Sequence, residues 1–359
     1  MGKRTVIPFG PQHPVLPEPI HLDLVLEDET VIEAIPKIGY VHRGLEKLVD
    51  KKDFQQFPFV AERICGICSF MHGMGYCMSI ESIMEVKIPE RAEFLRVIWA
   101  ELSRMHSHLL WMGLLADAFG FESLFMHSWR LREQILDIFE ETTGGRVIFS
   151  VCEIGGVRKD ISPDMLNKIV GILNSLEKEV KEIAEVFIND TTVKLRTKGV
   201  GVLSKQAASD LGAVGPMAKA SGLDFDMRTQ GYAAYEKLKF EPIIETAGDS
   251  YARTSVRIRE VFQSIDLIKQ AIALIPEGDI RVKVTGNPKG DYFTRIEQPR
   301  GEVVYYVKAN GTKFLDRVRV RTPTFANIPA LLETLKGCSL ADVPILILTI
   351  DPCISCTER

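Results

Sequence analysis

Four of the seven cysteines fall into two Cys-x-x-Cys pairs. Cys65 and Cys68 lie in RICGICSFMH, and Cys353 and Cys356 lie in DPCISCTER. One such pair occurs in redox and zinc sites alike. Two pairs supply four soft thiolates, a donor set for zinc, an iron–sulfur cluster, or nickel and iron. In a zinc ribbon the pairs stand about 15–20 residues apart. Here 288 residues separate Cys65 from Cys353, so any shared site is a clasp between distant segments. Cys77, Cys152 and Cys338 have no spaced partner and read as small buried apolar residues.

His72 follows Cys68 by four residues. A helix beginning near Cys65 puts both on one face, where a ring N–H can donate to the Cys68 thiolate. A helix N-terminus also favours ionised thiols.

The elements that must position these residues are mostly helical. From Ile98, apolar residues recur at spacings of four and three through Phe119, which predicts a long helix over about 90–120 with Pro89 near its start. A second helix spans Phe125 to Thr142, ended by Gly144-Gly145. Pro163 opens a third, with a stripe from Leu166 to Phe187. A fourth covers roughly 249–275. Residues 20–35 alternate and read as two strands around an acidic turn, and 302–320 as a hairpin around Asn310-Gly311. The apolar run at 345–350, ILILTI, reads as a buried strand or core segment. The expected fold class is mainly α with small β elements (α+β), a long-helix bundle. Residues 1–62 form an N-terminal β/loop region and 63–280 the helical core with the first Cys pair. Residues 281–359 carry the hairpin and the second pair, all within one integrated domain.

The chain has 359 residues, 46% apolar and 26% charged, with net charge −4. That is ordinary for a globular protein and gives no basic surface for nucleic acid. The N-terminus lacks the apolar run of a signal peptide. VPILILTI (343–350) is too short to span a bilayer, so membrane work would need partners.

RICGIC…H with DPCxxC resembles the large subunit of nickel–iron hydrogenases, over nearly the whole chain. FGPQHP (9–14), GYVHRGLEKL (39–48), GDSYARTSVRIRE (248–260) and PRGE (299–302) resemble the branch shared with the large quinone-site subunit of respiratory complex I. That subunit lacks the four cysteines, whose presence points to a hydrogenase, most similar to the membrane-bound, energy-converting group.

The resemblance implies a nickel–iron centre with one CO and two cyanides on iron. Cys65 and Cys353 would be terminal on nickel, and Cys68 and Cys356 would bridge to iron. The reaction would be reversible H2 oxidation, with a thiolate or guanidinium as base. Arg300, after Pro299, matches an arginine over the open metal position. Glu18 matches a glutamate that passes protons, and Asp351 a buried aspartate beside the site. Electrons would pass through a small subunit bearing a [4Fe-4S] cluster to ferredoxin. Ferredoxin-like and membrane subunits would hold the chain at the cytoplasmic face of the membrane and couple turnover to ion translocation. A cleaved C-terminal extension is common in the family, and this chain ends where a processed one would.

Two positions depart from the family pattern. Ser107 stands between His106 and His108 where many relatives carry aspartate. Arg359 stands where many end in histidine, which with a glutamate matching Glu46 helps hold magnesium. An arginine cannot ligate a metal, so an Arg359–Glu46 ion pair is the expected alternative. His13, in FGPQHP, reads either as a remnant of a quinone loop or as part of a Pro-stiffened turn. The competing reading of the whole chain is a complex-I-like quinone-reducing or structural subunit whose cysteines hold zinc or nothing.

Overall fold

The computed structural model describes residues 4–359. An antiparallel sheet comes first, from β1 (Arg4–Phe9), β2 (His21–Glu27) and β3 (Thr30–Lys37). The expected pair of strands is β2 and β3, which turn at Asp28-Glu29 with Asp28 at φ 54°. Helices α1 (Ser69–Ile83), α2 (Glu90–Ala118), α3 (Glu122–Thr143), α4 (Pro163–Asn189) and α5 (Ser250–Leu274) build the bundle.

Helix α2 is its axis. Glu90 and Glu93 lie in its first turn, where the macrodipole favours anions. It is buried on nearly every side, as a helix enclosed by neighbours must be. Helix α4 is amphipathic instead: Leu166, Ile169, Leu173, Leu176, Val180, Ile183 and Phe187 are buried, as their spacing predicts. Its start is fixed by Pro163 at the first helical position and by Ser162 Oγ, which accepts from Met165 N at 3.3 Å. Helix α3 ends on Gly144 in the left-handed region.

A second antiparallel sheet follows, of β4 (Lys289–Gln298), β5 (Gly301–Asn310) and β6 (Leu315–Arg321). The β5–β6 hairpin turns beyond Asn310-Gly311, as expected. Strand β4 escapes sequence reading because its first five residues are all exposed and show no alternation. The chain closes with α6 (Pro323–Leu335), α7 (Val343–Thr349) and α8 (Ile354–Glu358).

The run ILILTI, left open as strand or core segment, falls mostly in helix α7, which ends at Thr349. Pro344 lies in its first turn, and its valine, isoleucines and leucines are all buried. A buried segment with no sheet edge to pair with satisfies its backbone internally. Two large apolar cores result, with a small third cluster of Ala220, Ile243, Ala252 and Val256. One runs through α1–α5, and the other packs β1–β3 against α6 and α7.

Strands β4 and β5 are joined by a two-residue turn, Pro299-Arg300, between the paired Gln298 and Gly301. This tip crosses another stretch of backbone in direct contact. A Cβ on Gly301, at φ +128°, would lie 2.7 Å from Gly215 N, and one on Gly215 2.3 Å from Gly301 Cα. Only glycine permits that crossing, which fixes where Arg300 emerges. Gly301→Ala is therefore expected to cost at least about 2 kcal/mol in strain and overlap, read as a lower denaturation midpoint in urea.

Candidate metal centre

Cys68 caps the N-terminus of α1, and Cys353 that of α8. Folding brings the two helix starts together in the interior. The Sγ atoms of Cys65, Cys353 and Cys356 lie within 4.8 Å of one another, with Cys65 and Cys353 3.3 Å apart. Cys68 N donates to Cys65 Sγ at 3.1 Å, while its own sulfur turns to Arg300. All four cysteines are buried and unbridged. A hydrogen bond with Cys356 pulls the Cys353 thiol down. Its contact with Cys65 and burial outweigh that and push it up to about 11. Burial holds Cys356 well above the thiol range. A soft cation suits this donor set, since binding it would displace these protons.

Arg300 enters from the β4–β5 tip. Its Nη1 donates to Cys68 Sγ at 3.1 Å and to Ser107 Oγ at 3.3 Å. Nε donates to Asp351 O at 2.7 Å and Nη2 to Asp351 Oδ1 at 2.8 Å. Burial opposes the guanidinium charge, but Asp351 and the Cys68 sulfur outweigh it, so the arginine stays charged. Ser107 thus takes part as a neutral acceptor. Pro299 is buried beside it.

His72 does not serve Cys68. The helix starts one residue after Cys68, and its ring reaches the second pair instead: Nε2 lies 3.4 Å from Cys356 Sγ and Nδ1 2.7 Å from Tyr305 Oη. Burial lowers the His72 pKa to about 3 and raises that of Tyr305, so the ring is neutral and the phenol keeps its proton. The phenol donates its proton to Nδ1, which leaves the proton of the neutral ring on Nε2, facing the Cys356 sulfur. Tyr305 was not legible in the sequence.

Glu18 accepts a hydrogen bond from Ile354 N, one residue after Cys353. Burial, then the nearby Cys353 charge, push its pKa up to about 8, so it can hold and release a proton near neutrality. A cavity of about 220 Å³ joins Glu18, Arg300 and Asp351 to an apolar wall of Ile67, Leu110, Trp111 and Leu114. Trp111 Nε1 donates to Leu348 O at 2.6 Å, tying α2 to the tail.

The tail is clasped by residues 39–46. Arg359 Nε donates to Glu46 Oε1 at 2.7 Å, and Glu46 also accepts from Val320 N and Arg319. Glu358 accepts from Gly39 N at 2.7 Å and from Val41 N, and His42 Nδ1 meets Glu358 O. Arg43 donates to Arg63 O, Ile64 O and Ser355 O, bridging both Cys segments. Sequence reasoning gave no role to Arg43 or Glu358, although they lie in GYVHRGLEKL and DPCISCTER, because a motif does not show which of its side chains meets a distant segment. His13 lies apart from this centre. It stacks on Phe9 with ring centroids 4.2 Å apart and accepts from Val15 N within its own turn.

Residues 43–117 match the nickel-dependent hydrogenase family, and residues 118–285 and 283–359 match the 49 Kd subunit of respiratory-chain NADH dehydrogenase. The chain belongs to the family that unites these two kinds of large subunit. It is 39% identical over 356 residues to the carbon monoxide-induced hydrogenase of Rhodospirillum rubrum, covering 98% of this chain and 99% of that one. It is 37% identical to the membrane-bound hydrogenase subunit alpha of Pyrococcus furiosus, covering 98% and 87%. It is also 37% identical to a subunit of the F(420)H(2) dehydrogenase of Methanosarcina mazei, covering 100% and 98%. A chain of the membrane-bound sulfane sulfur reductase, an archaeal respiratory membrane complex, superposes with TM-score 0.95 at 29% identity, covering 99% and 98%. Among the described residues no helix is long and apolar enough to cross a membrane.

The clasp makes a direct prediction. Arg359→Ala should speed amide exchange across 354–358 and lower stability by about 1–3 kcal/mol, the range for a charged hydrogen bond left half made. Hydrogen-exchange mass spectrometry and urea melts check both.

Proposed function

We propose that this chain is the catalytic subunit of a nickel–iron hydrogenase. The single observation that supports it is the cluster of three buried sulfurs, Cys65, Cys353 and Cys356, beside a buried arginine that holds the fourth, Cys68. Cys65, Cys68, Cys353 and Cys356 would hold the metals, with Cys68 and Cys356 shared with iron carrying CO and two cyanides. When bound, such a centre supplies the Lewis acid and the electron acceptor for splitting H2 into two protons and two electrons.

The protein's own groups do the rest. Arg300 is held by Asp351 and presents its planar fork to the cavity side of Cys68. His72 orients the Cys356 sulfur. Glu18 takes the proton from the Cys353 side and delivers it outward. The apolar cavity wall admits a small uncharged substrate. Electrons would leave through a small subunit with a [4Fe-4S] cluster to ferredoxin. Ferredoxin-like and membrane subunits would hold the chain on the cytoplasmic membrane face and couple turnover to ion movement. Glu46 spends its carboxylate on Arg359, Arg319 and Val320, which supports the ion pair over magnesium at the tail.

A second reading has its own support. The F(420)H(2) dehydrogenase and NADH-quinone oxidoreductase relatives match as extensively as the hydrogenases. Under it the chain is a complex-I-like quinone-reducing or structural subunit, with zinc or no metal at the cysteines. Elemental analysis of the purified complex separates the two: nickel with iron supports the first, and zinc or no metal overturns it. Infrared bands of metal-bound CO and cyanide are the sharper check.

Serine at any of the four cysteines should abolish both nickel retention and H2 activity. Cys77→Ser should leave both in place. Arg300→Lys should keep the metals but lose about 10²-fold or more in H2 turnover. Glu18→Gln should keep nickel and lose proton exchange, measured as H/D exchange against nickel content. Wild-type exchange in that variant would remove Glu18 from the relay.

A further inference from the structure

Behind the cysteines lies a second buried group of charges. Lys219 Nζ donates to Asp226 at 3.0 Å, to Glu260 at 2.5 Å and to Glu297 at 3.4 Å. Arg228 pairs with Asp226 and reaches Glu101, which also binds Arg104, Tyr235 and Ser264. His108 Nε2 meets Glu260 Oε2 at 2.8 Å. The cationic and acidic side chains of this group are at most 1% exposed. Within hydrogen-bonding reach, four carboxylates (Glu101, Asp226, Glu260, Glu297) face three permanent cations (Lys219, Arg104, Arg228). Arg257, a fourth cation nearby, bonds the Arg253 carbonyl and lies over the Trp111 ring. An isolated ion in such an interior is too costly to keep, so the surplus carboxylate takes up a proton.

Glu297 is the least compensated of the four. Its carboxylate meets one cation directly, Lys219 at 3.4 Å, and Met227 N at 3.1 Å, while Arg104 donates to its backbone carbonyl at 2.9 Å. Tyr232 flanks it, donating nothing to its carboxylate but accepting from its backbone N–H.

The group is joined to the cysteine centre along three short chain paths. Ser107, which touches Arg300, precedes His108. Glu297 and Gln298 lead into Pro299-Arg300. Arg257 lies one helical turn before Glu260. Buried polar atoms with no protein partner mark this junction: both amide atoms of Gln298, His108 Nδ1, Arg257 Nε and Asp351 Oδ2. On the far side Arg228 bonds Gln263, whose amide reaches the Glu241 carbonyl near the surface.

We propose that this cluster is a buried proton store, with Glu297 as the group that binds and releases the proton. The carboxylate gains one proton to become a neutral acid and later returns it, with no electron moving. Burial and the Asp226 charge push the Glu297 pKa up to about 7, which places the exchange near neutrality. A carboxyl group raised in this way binds more protons folded than unfolded, so its contribution to stability falls as pH rises from the ordinary carboxyl range through about 7. The use of the store in turnover rests on the hydrogenase reading; its existence as a proton site does not.

The test is infrared titration of the purified complex with ¹³C-labelled glutamate. A protonated glutamate C=O band should disappear as pH passes about 7, shift in D2O, and be absent in Glu297→Gln. It should persist in Glu18→Gln and Glu62→Gln, which remove the two other glutamates pushed up to about 8 and about 7. If Glu297→Gln does not fold, persistence in those two variants still tests the assignment. No titrating band, or a band lost with Glu18 or Glu62 instead, overturns the proposal. In nickel-loaded, H2-active complex, exchanging argon for H2 should change the amplitude of the band. A band that ignores H2 there overturns the link to turnover while leaving the metal reading intact.

Discussion

The ion pair between Arg300 and Asp351 is the contact on which the centre depends. It joins three segments remote in sequence: the β4–β5 tip, the tail before Cys353, and, through Nη1, the start of α1 at Cys68. Both partners are nearly inaccessible to water. Removing either leaves a lone buried charge, costly by roughly 3–5 kcal/mol. The rest of the local structure keeps that pair in register. The Gly215–Gly301 crossing fixes the tip from behind, Trp111 holds the end of α7, and the 39–46 clasp holds the final helix.

Much of this was legible from residue types and spacing. The two Cys pairs, Arg300, Glu18 and the Arg359–Glu46 contact could each be named before any coordinates, because each belongs to a short motif. The long helices were legible because their apolar stripes obey one period. What was not legible has a common cause: it depends on a partner far along the chain. His72 was expected beside Cys68, its helical neighbour, but the tail folds over the helix start and Cys356 takes that place. Strand β4 shows no alternation since half of it is exposed. Lys219 and Glu297 look like ordinary surface charges in sequence, Glu260 and Arg43 are legible only as members of longer motifs, and only the fold buries or engages them.

These buried charges carry a stability cost that a purely apolar bundle would avoid. A protein retains such groups where they set a unique arrangement or do chemistry. Here both uses meet. The carboxylates of α2, α5 and β4 fix how those elements pack, and their imbalance leaves room for a proton.

The four sulfurs share one further property. Each has a hydrogen-bonding partner: Cys65 the Cys68 amide, Cys68 the Arg300 guanidinium, Cys353 the Ser355 hydroxyl, and Cys356 the His72 ring. A donor at sulfur draws electron density away from whatever metal the sulfur binds. It therefore shifts the reduction potential upward, a lever by which proteins tune sulfur-ligated metals. The two sulfurs assigned to bridging meet the guanidinium and the neutral imidazole, donors of very different charge. On the proposed metal reading the electron affinity of the centre would be weighted toward Cys68, an electronic polarity that the symmetric Cys-x-x-Cys spacing does not show.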